Sequence, residues 1–239
     1  MNLVFFDYSE LGDTVLGSGL AAMMTRSAFS REMPECYQFI PTIDLMRPRF
    51  QCVALDARHY LWRGRLPDEI LPDAQRFDEL WGLHPEDYNE IRIHGRTIKT
   101  PRWEQAYHKA YCYSGVTHSA LPVPEPVGPI WSWVKETIDV RLNGILLTWY
   151  DGRLGHYIGK HRDSTQNMIL GSPIVTISLG QSRVFRLRPW QGKGFQDFPT
   201  DHGVVFILPY GTNLAWTHEV PASKKRQGRR IAIAFRAFK

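Results

Sequence analysis

The segment PIVTISLGQSRVFRLRP, residues 173–189, decides the fold class of this chain. Its two runs of β-branched and aromatic residues flank a short polar connection at Gly180, a pattern typical of paired β-strands. Similar short runs lie on both sides, in ILLTWY, HYIGKH, GVVFILPY, LAWTHEV and RIAIAFRAF. Seven strand-like runs in the fewer than 100 residues after Gly144 predict a sandwich or jelly roll.

The preceding part of the chain has helical periodicity. The run DAQRFDELWGL predicts a helix because its apolar residues recur at i, i+3 and i+4, namely Phe77, Leu80 and Trp81. After the proline-rich connector LPVPEPVGP, Pro129 predicts the start of a second helix with three apolar residues on one face, Ile130, Val134 and Ile138. The predicted class is α+β, with a double-stranded β-helix (jelly-roll) core and N-terminal helices packed on one sheet.

The change in hydrophobic periodicity along the chain predicts its domain organisation. Residues 1–52 show little periodicity and are predicted to form an N-terminal extension of unknown role. A strand is predicted to end near Gly64. Residues 53–239 are predicted to fold as one domain, with an N-terminal part over residues 53–127 and the helix and jelly-roll core over residues 128–239.

The net charge of +5 comes from one local cluster near the C-terminus. Residues 220–239 carry seven Lys or Arg and no acid, whereas the other 219 residues carry 22 basic and 24 acidic side chains. The cluster KKRQGRR includes Lys224, Lys225 and Arg226, which could meet phosphates. A solvated loop explains the same run, so charge alone leaves nucleic acid as one possible partner.

Membrane insertion and secretion are not indicated. The chain has no run of about 18 apolar residues, and the first residues, MNLVFFDYSELGD, lack the basic region of a signal peptide. Three cysteines are scattered without a C-x-x-C pattern, at Cys36, Cys52 and Cys112. We therefore expect a cytoplasmic protein with no membrane partner, and the sequence predicts no particular oligomeric state.

The segment HRDSTQNM contains the only His-x-Asp of the chain, formed by His161 and Asp163. Residues i and i+2 of a strand point to the same face, so this imidazole and this carboxylate can bind one ion. His218, within the run LAWTHEV, is the leading candidate for a third ligand. Two imidazoles and one carboxylate leave open positions on iron(II), as an oxygen-activating centre requires.

The same spacing also arises in ordinary surface loops, where two polar residues lie close together by chance. His84 and Glu86 illustrate this, because they have similar spacing but Pro85 between them makes a poor ligand pair. Spacing alone therefore leaves both interpretations of the His-x-Asp segment open.

The run RIAIAFR adds a second constellation. Arg230 and Arg236 are six residues apart, so on a strand both side chains face the same side, with Ala232 and Ala234 between them. Two inward guanidinium groups above small residues predict a pocket for an anion with two carboxylates, because Arg binds carboxylate through a paired fork. 2-Oxoglutarate is such a dianion and also chelates iron.

Together these motifs resemble those of the AlkB-like iron(II)/2-oxoglutarate dioxygenases. The resemblance is carried by His161-x-Asp163, by His218 about 55 residues further on, and by Arg230-x5-Arg236. The segment PIVTISLGQSRVFRLR is similar to the family's strand pair after the first ligands, and TPRWEQAYHKAYCYSG is similar to its substrate lid with the YxYSG signature. The resemblance extends from about residue 53 to the C-terminus.

The resemblance implies the ligands of the cofactors. His161, Asp163 and His218 would bind Fe(II), and Arg230 and Arg236 would bind the carboxylates of 2-oxoglutarate, which is consumed together with O2. The family usually has Asn-x-Tyr on the strand before the first ligand, and this chain has the segment TWYDG instead. Tyr150 matches that pattern, while Thr148 replaces the Asn and can make fewer hydrogen bonds.

The resemblance also implies an alkylated base, flipped from its stack, as the substrate. The candidate substrate-binding residues are Arg102, Trp103, Tyr107, Tyr111, Tyr113 and Thr165. The aromatic residues among them could equally pack the lid onto the core. One departure concerns the residues after the His-x-Asp, where repair members commonly carry an acid and this chain has Ser164-Thr165-Gln166.

Three hypotheses for the function follow. The first is oxidative demethylation of N-alkylated bases in DNA or RNA, with release of succinate, carbon dioxide and formaldehyde. The second is hydroxylation of a small molecule or a protein side chain by the same chemistry, which the neutral residues 164–166 favour. The third is a catalytically silent binding module with the same fold, which the complete ligand set argues against.

Overall fold

The computed structural model describes residues 50–93, 95–113 and 116–239, so most of the predicted N-terminal extension lies outside the described residues. Two short 3-10 turns accompany three α-helices, which are α1 (Ala74–Trp81), α2 (Gly128–Thr137) and α3 (Tyr210–Ala215). Within the described part of the chain, no helix is long and apolar enough to cross a lipid bilayer.

Sixteen strands are described, eight in each half of this part of the chain. The first eight are β1 (Phe50–Ala54), β2 (Tyr60–Arg65), β3 (Glu90–Ile93), β4 (Arg96–Lys99), β5 (Trp103–Tyr107), β6 (Tyr111–Tyr113), β7 (Val116–His118) and β8 (Ala120–Leu121). The last eight are β9 (Gly144–Asp151), β10 (Ile158–His161), β11 (Ile174–Gly180), β12 (Val184–Pro189), β13 (Gln196–Pro199), β14 (Val204–Leu208), β15 (Trp216–Val220) and β16 (Arg229–Arg236).

Two facing sheets form the core. The large sheet has eight strands in the order β1-β2-β14-β11-β16-β9-β5-β8, and the small sheet has four in the order β10-β15-β12-β13. The pairs β3–β4 and β6–β7 form separate two-stranded ribbons. Every pairing is antiparallel except that of β5 with β8. This arrangement confirms the predicted jelly roll.

Strand β16 lies at the centre of the large sheet, between β9 and β11. Its registers place Arg230 beside Tyr150 and Ala232 beside Thr148 on β9. Because side chains alternate across a strand, these residues share the inner face, which looks towards the small sheet. The opposite face of β16 is fully buried and apolar.

Helices α1 and α2 cover the outer face of the large sheet. Helix α1 begins after Asp73, whose side chain accepts a hydrogen bond from the amide of Arg76 and so caps the helix. The indole Nε1 of Trp149 on β9 donates to the carbonyl of Leu80 at the end of α1 over 2.9 Å. The predicted apolar stripe is buried, and two of its residues, Ile130 and Val134, belong to α2. The predicted packing of helices on one sheet is thus confirmed.

The structure departs from the predicted elements at a few points. The run LAWTHEV begins in α3, and only its part from Trp216 onward is a strand. Helix α2 ends at Thr137, one residue before the predicted stripe ends. Strand β13 and the ribbons before β9 were not predicted, because they are short and lack the continuous apolar runs that mark the central strands.

Candidate metal and co-substrate site

Two histidines face each other across the small sheet. His161 ends β10 and lies directly opposite His218 on β15, with ring centroids 4.2 Å apart. Asp163 lies two residues beyond the end of β10, and its Oδ1 is 3.6 Å from His161 Nε2 and 3.7 Å from His218 Nε2. The ligand atoms of the three residues all lie within 4.8 Å of one another. The structure therefore brings together the three residues of the predicted triad.

Hydrogen bonding leaves the correct imidazole nitrogen available. His161 Nδ1 is 2.8 Å from the carbonyl of Gly159, which accepts its proton, so the Nε2 lone pair faces Asp163. Burial and the neighbouring His161 lower the pKa of His218 to about 3. Both rings are thus held in the neutral form that binds a metal ion.

The carboxylate of Asp163 is fixed by Arg236 at the end of β16. The Nε of Arg236 donates to Asp163 Oδ2 over 2.8 Å, and the Nη2 lies 2.7 Å from the same oxygen. Burial alone would raise the pKa of Asp163, but Arg236 and the two histidines hold it well below its usual range. The carboxylate therefore stays ionised. Its Oδ1 is directed at the histidines, while its Oδ2 accepts from Arg236.

The backbone of Asp163 is held separately by Asn213 of α3. The amide of Asp163 donates to Asn213 Oδ1 over 3.0 Å, and Asn213 Nδ2 donates to the carbonyl of Asp163 over 3.1 Å. Asn213 is itself buried. The sequence pattern predicted that Asp163 belongs to a strand, but it lies outside β10. The two hydrogen bonds to Asn213 therefore position its backbone in place of strand pairing.

We expect Asn213→Ala to weaken iron(II) binding by about 10- to 100-fold, the range typical of groups that orient a metal ligand. Titration of the purified protein with iron(II) under anaerobic conditions would measure this affinity. The control is Leu214→Ala, since the side chain of Leu214 is the next one along α3 and is 46% exposed. Equal iron(II) affinities of Asn213→Ala and Leu214→Ala would mean that the loop holds Asp163 in place without the side chain of Asn213.

Arg230 has the environment of an anion-binding residue. Only 1% of it is exposed, its Nε donates to Ser178 Oγ over 2.9 Å, and it lies over the Tyr150 ring. Its Nη1 is buried without a hydrogen-bond partner among the described residues. Burial lowers the pKa of this guanidinium, and no carboxylate of the described chain pairs with it. A buried cation in this position requires an anionic partner.

The small residues beside Arg230 lie where the sequence pattern predicted them. Ala232 and Ala234 are buried on the inner face between the two arginines, and Thr148 and Tyr150 flank them on β9. Their predicted contacts with 2-oxoglutarate remain predictions. For Arg236 the structure gives Asp163 as the partner, so a contact of Arg236 with the co-substrate would have to use its remaining donors.

The residues fit both groups that the sequence motifs imply. Two neutral imidazoles and one carboxylate oxygen form the donor set of an open iron(II) site. The unpartnered Nη1 of Arg230, beside small residues, fits a carboxylate of 2-oxoglutarate. His161, Asp163 and His218 would hold the metal ion, and Arg230 would anchor the far carboxylate of the dianion.

The predicted lid residues separate into two groups. Tyr111 of β6 is buried against the site, with its ring 4.6 Å from the guanidinium carbon of Arg236, and Tyr113 follows with its ring centroid 5.2 Å from that of Tyr111. Thr165 is half-buried and its carbonyl closes a turn by accepting from the amide of Met168. A contact of these three with the substrate stays a prediction.

The structure places Trp103 and Tyr107 away from the triad, and their contact with the substrate stays a prediction. Both lie on the face of β5 that points away from the triad, opposite to Ala106 and its inner-face neighbours. The Trp103 ring is stacked at 4.3 Å on His84 among other aromatic rings. Tyr107 is buried beside Ile145, and this burial raises its pKa to about 12. These two residues therefore support the sheet and do not face the site.

Arg102 is buried, with only 6% of it exposed, and its contact with a phosphate of the substrate stays a prediction. Its Nε donates to Glu104 Oε1 over 2.9 Å. By contrast, Lys224 and Lys225 of the basic cluster are exposed, while Arg226 is half-buried and donates to the carbonyl of Ser182. The cluster therefore offers two lysines to solvent.

Sequence reasoning missed two polar residues of this site, Glu104 and Asn213. The signal for Glu104 was its spacing, since it is two residues after Arg102 and two before Ala106 and so shares their face of β5. Nothing in the local sequence marks Asn213, because its partner Asp163 is 50 residues away in the chain.

Comparison with known proteins agrees with this geometry. The model of the 2OG-Fe(II) oxygenase superfamily matches residues 75–236. DNA oxidative demethylase ALKBH2 of Homo sapiens is 30% identical over 157 residues, which cover 61% of this chain and 60% of that protein. Alpha-ketoglutarate-dependent dioxygenase alkB homolog 3 of Rattus norvegicus is 28% identical over 153 residues, which cover 59% of this chain and 51% of that protein.

The matched segment thus spans between half and two thirds of the length of these relatives. The structure of OsALKBH1 superposes with a TM-score of 0.51 at 15% sequence identity, over 78% of this chain and 99% of that one, which supports the fold alone. The predicted similarity to AlkB-like proteins is confirmed, and the predicted cofactor and co-substrate, Fe(II) and 2-oxoglutarate, agree with the superfamily that matches. The chain belongs to the 2OG-Fe(II) oxygenase superfamily.

Proposed function

We propose that this chain is an oxidative demethylase of N-alkylated bases in DNA or RNA. The observation that carries the proposal is the convergence of His161, Asp163 and His218 beside the buried, unpaired Nη1 of Arg230. A chain that bound ligands without catalysis would have no need for a complete iron(II) donor set next to a cation for the co-substrate.

His161, Asp163 and His218 would hold iron(II), which with 2-oxoglutarate would supply activation of O2: one oxygen atom would enter succinate, with loss of carbon dioxide, and the other would hydroxylate the N-methyl group. The resulting N–CH2OH group releases formaldehyde and leaves N–H on the base. The protein contributes positioning and electrostatics: Arg236 and Asn213 fix Asp163, and Arg230 orients the co-substrate.

The substrate class is supported by the surroundings of the triad and by the relatives. Tyr111 and Tyr113 line the side of the site that the β6–β7 ribbon covers, where a flipped base needs aromatic contacts. Lys224 and Lys225 are exposed for phosphate contacts. The name of the human relative states oxidative demethylation of DNA. A cytoplasmic location remains a prediction from the scattered cysteines.

A second candidate is hydroxylation of a small molecule or a protein side chain by the same chemistry. It is favoured by the neutral Ser164-Thr165-Gln166 after the ligand pair and by the excess of acidic side chains outside the C-terminal cluster. This candidate needs the same iron and 2-oxoglutarate residues, so only the substrate distinguishes it from the first.

A substrate screen with mass spectrometry tests the proposal. The purified protein, with iron(II), 2-oxoglutarate and air, is incubated with oligonucleotides that each carry one N-methylated base. We expect the oligonucleotide to lose the mass of one methyl substitution, with succinate formed in equal amount. Protein treated with a chelator serves as the control. Succinate formation without any change in the oligonucleotides would exclude demethylation and favour the second candidate.

A further inference from the structure

Glu104 is a buried carboxylate that the reaction as described does not use. It is 3% exposed and lies on the inner face of β5, directly beside Thr148 of β9. Arg102 donates to its Oε1 over 2.9 Å, and the hydroxyl of Tyr113 donates to its Oε2. Burying an ion pair carries a large desolvation penalty, and packed apolar residues often serve stability as well. Stability alone is therefore a weak reason for a charge at this position.

Glu104 is connected to the iron site through the lid. Tyr113, which donates to it, has its ring centroid 5.2 Å from that of Tyr111, and Tyr111 lies against Arg236. Arg236 in turn holds the metal ligand Asp163. The carboxylate of Glu104 thus lies on the same inner face as the co-substrate residues, at the side of the site where the lid tyrosines lie.

The surroundings of Glu104 offer ring surfaces and unused hydrogen-bonding capacity. His118 of β7 stacks on the Tyr113 ring with a centroid distance of 4.6 Å, and its Nε2 is buried without a hydrogen-bond partner among the described residues. His118 also lines a cleft of about 280 Å³ together with Asn89, Glu90, Arg92 and Thr97. The cleft therefore reaches His118, the ring that stacks on Tyr113.

The capacity of Glu104 to accept hydrogen bonds is only partly used. An ionised carboxylate has about four acceptor positions, and Arg102 and Tyr113 occupy two of them. A carboxylate accepts hydrogen bonds and donates none, so it favours a base edge with an amino group over one with a carbonyl. The residues after Asp163, Ser164-Thr165-Gln166, supply no carboxylate for this purpose.

We propose that Glu104 is a specificity-determining residue that accepts a hydrogen bond from the exocyclic amino group of the alkylated base. The proposal rests on the proposed function in taking such a base as the ligand. It predicts that the site prefers N3-methylcytosine, which has an amino group and a positive charge, over N3-methylthymine, which has a carbonyl at the same position and is neutral.

A binding experiment without turnover tests this role. The protein is loaded with manganese(II) and 2-oxoglutarate in the absence of oxygen, and fluorescence anisotropy reports binding of single-stranded oligonucleotides that carry one of the two bases. We expect the wild type to bind the N3-methylcytosine oligonucleotide about tenfold more tightly, the effect of one hydrogen bond to a charged group. Glu104→Gln should reduce this preference to about twofold or less, because the amide can turn its NH2 towards the base.

Two further variants separate recognition from a structural role. Glu136→Gln makes the same change of charge on α2, where Glu136 is exposed, and should keep the tenfold preference. Glu86→Gln makes the same change of charge at a second exposed position and should also keep the preference. Unchanged 2-oxoglutarate binding in Glu104→Gln shows that the variant is folded.

Each outcome has a distinct meaning. Equal binding of the two oligonucleotides by the wild type, or an unchanged preference in Glu104→Gln, would overturn the role of Glu104. Loss of the preference in Glu136→Gln would indicate a general effect of charge and would overturn it as well. A tenfold preference in a wild type that leaves N3-methylcytosine unoxidised with iron and oxygen would support Glu104 while refuting the demethylase proposal.

Discussion

His161→Ala is expected to abolish 2-oxoglutarate-dependent succinate formation and to lower the iron content of the purified protein. The reason is that Nε2 of His161 is one of three converging donors, and two remaining donors cannot hold iron(II) in an open site. The side chain of His161 is 32% exposed, so its removal should leave the fold intact. Succinate assays and iron analysis after dialysis measure the two effects.

Asp163→Ala is expected to abolish succinate formation too, but it should differ from His161→Ala in stability. Removal of Asp163 leaves the buried Arg236 without its partner, which costs about 3–5 kcal/mol of unfolding free energy. Chemical denaturation of both variants would measure this difference. Lys160→Ala, an exposed position next to His161, is the control and should retain activity. Succinate formation that survives in both ligand variants would remove the metal assignment.

Arg230→Ala is expected to have the second largest effect, a rise in the apparent KM for 2-oxoglutarate. Loss of one partner of a buried, hydrogen-bonded charge pair costs about 2–5 kcal/mol, which corresponds to roughly 30-fold or more in affinity. Iron binding should be retained, because Arg230 contacts Ser178 and Tyr150 and no metal ligand. Steady-state succinate formation at varied 2-oxoglutarate, together with iron analysis, would measure both quantities.

The neighbouring residue provides a matched control. Arg229 belongs to the same strand but points to the other side, where its Nη2 lies 2.6 Å from Asp78 and is exposed. Arg229→Ala therefore makes the same change one position away, and its KM for 2-oxoglutarate should equal that of the wild type. If Arg230→Ala also leaves the KM unchanged, another group anchors the co-substrate.

The period-2 pattern of β16 was sufficient to predict much of the site. In RIAIAFR, apolar residues alternate with two arginines and two alanines, and the structure places Arg230, Ala232, Ala234 and Arg236 on the inner face. The alternation works because one side of this strand faces an apolar layer and the other faces the site. His218 was the leading candidate for the third ligand because of its place in the strand-like run LAWTHEV, and the family resemblance implied the same residue.

Two features of the site were not predicted from the sequence. The partner of Arg236 depends on a contact with Asp163, 73 residues away, so the sequence could not distinguish a carboxylate of the protein from one of the co-substrate. In β5 the aromatic residues were predicted to bind the substrate. The alternation of the strand directs Trp103 and Tyr107 to one face and Glu104 to the other. The position of a strand relative to the core decides which face is functional, and this depends on the whole fold.

The contact between Arg236 and Asp163 has a consequence for how this lineage can diverge. The two positions are energetically coupled, because a variant that lost only the aspartate would retain an uncompensated cation in its interior. Natural variants that abandon oxidation while preserving the architecture should therefore replace both positions in concert. In such a variant, an alanine or glycine in place of Asp163 would be accompanied by an uncharged residue in place of Arg236, at the end of β16.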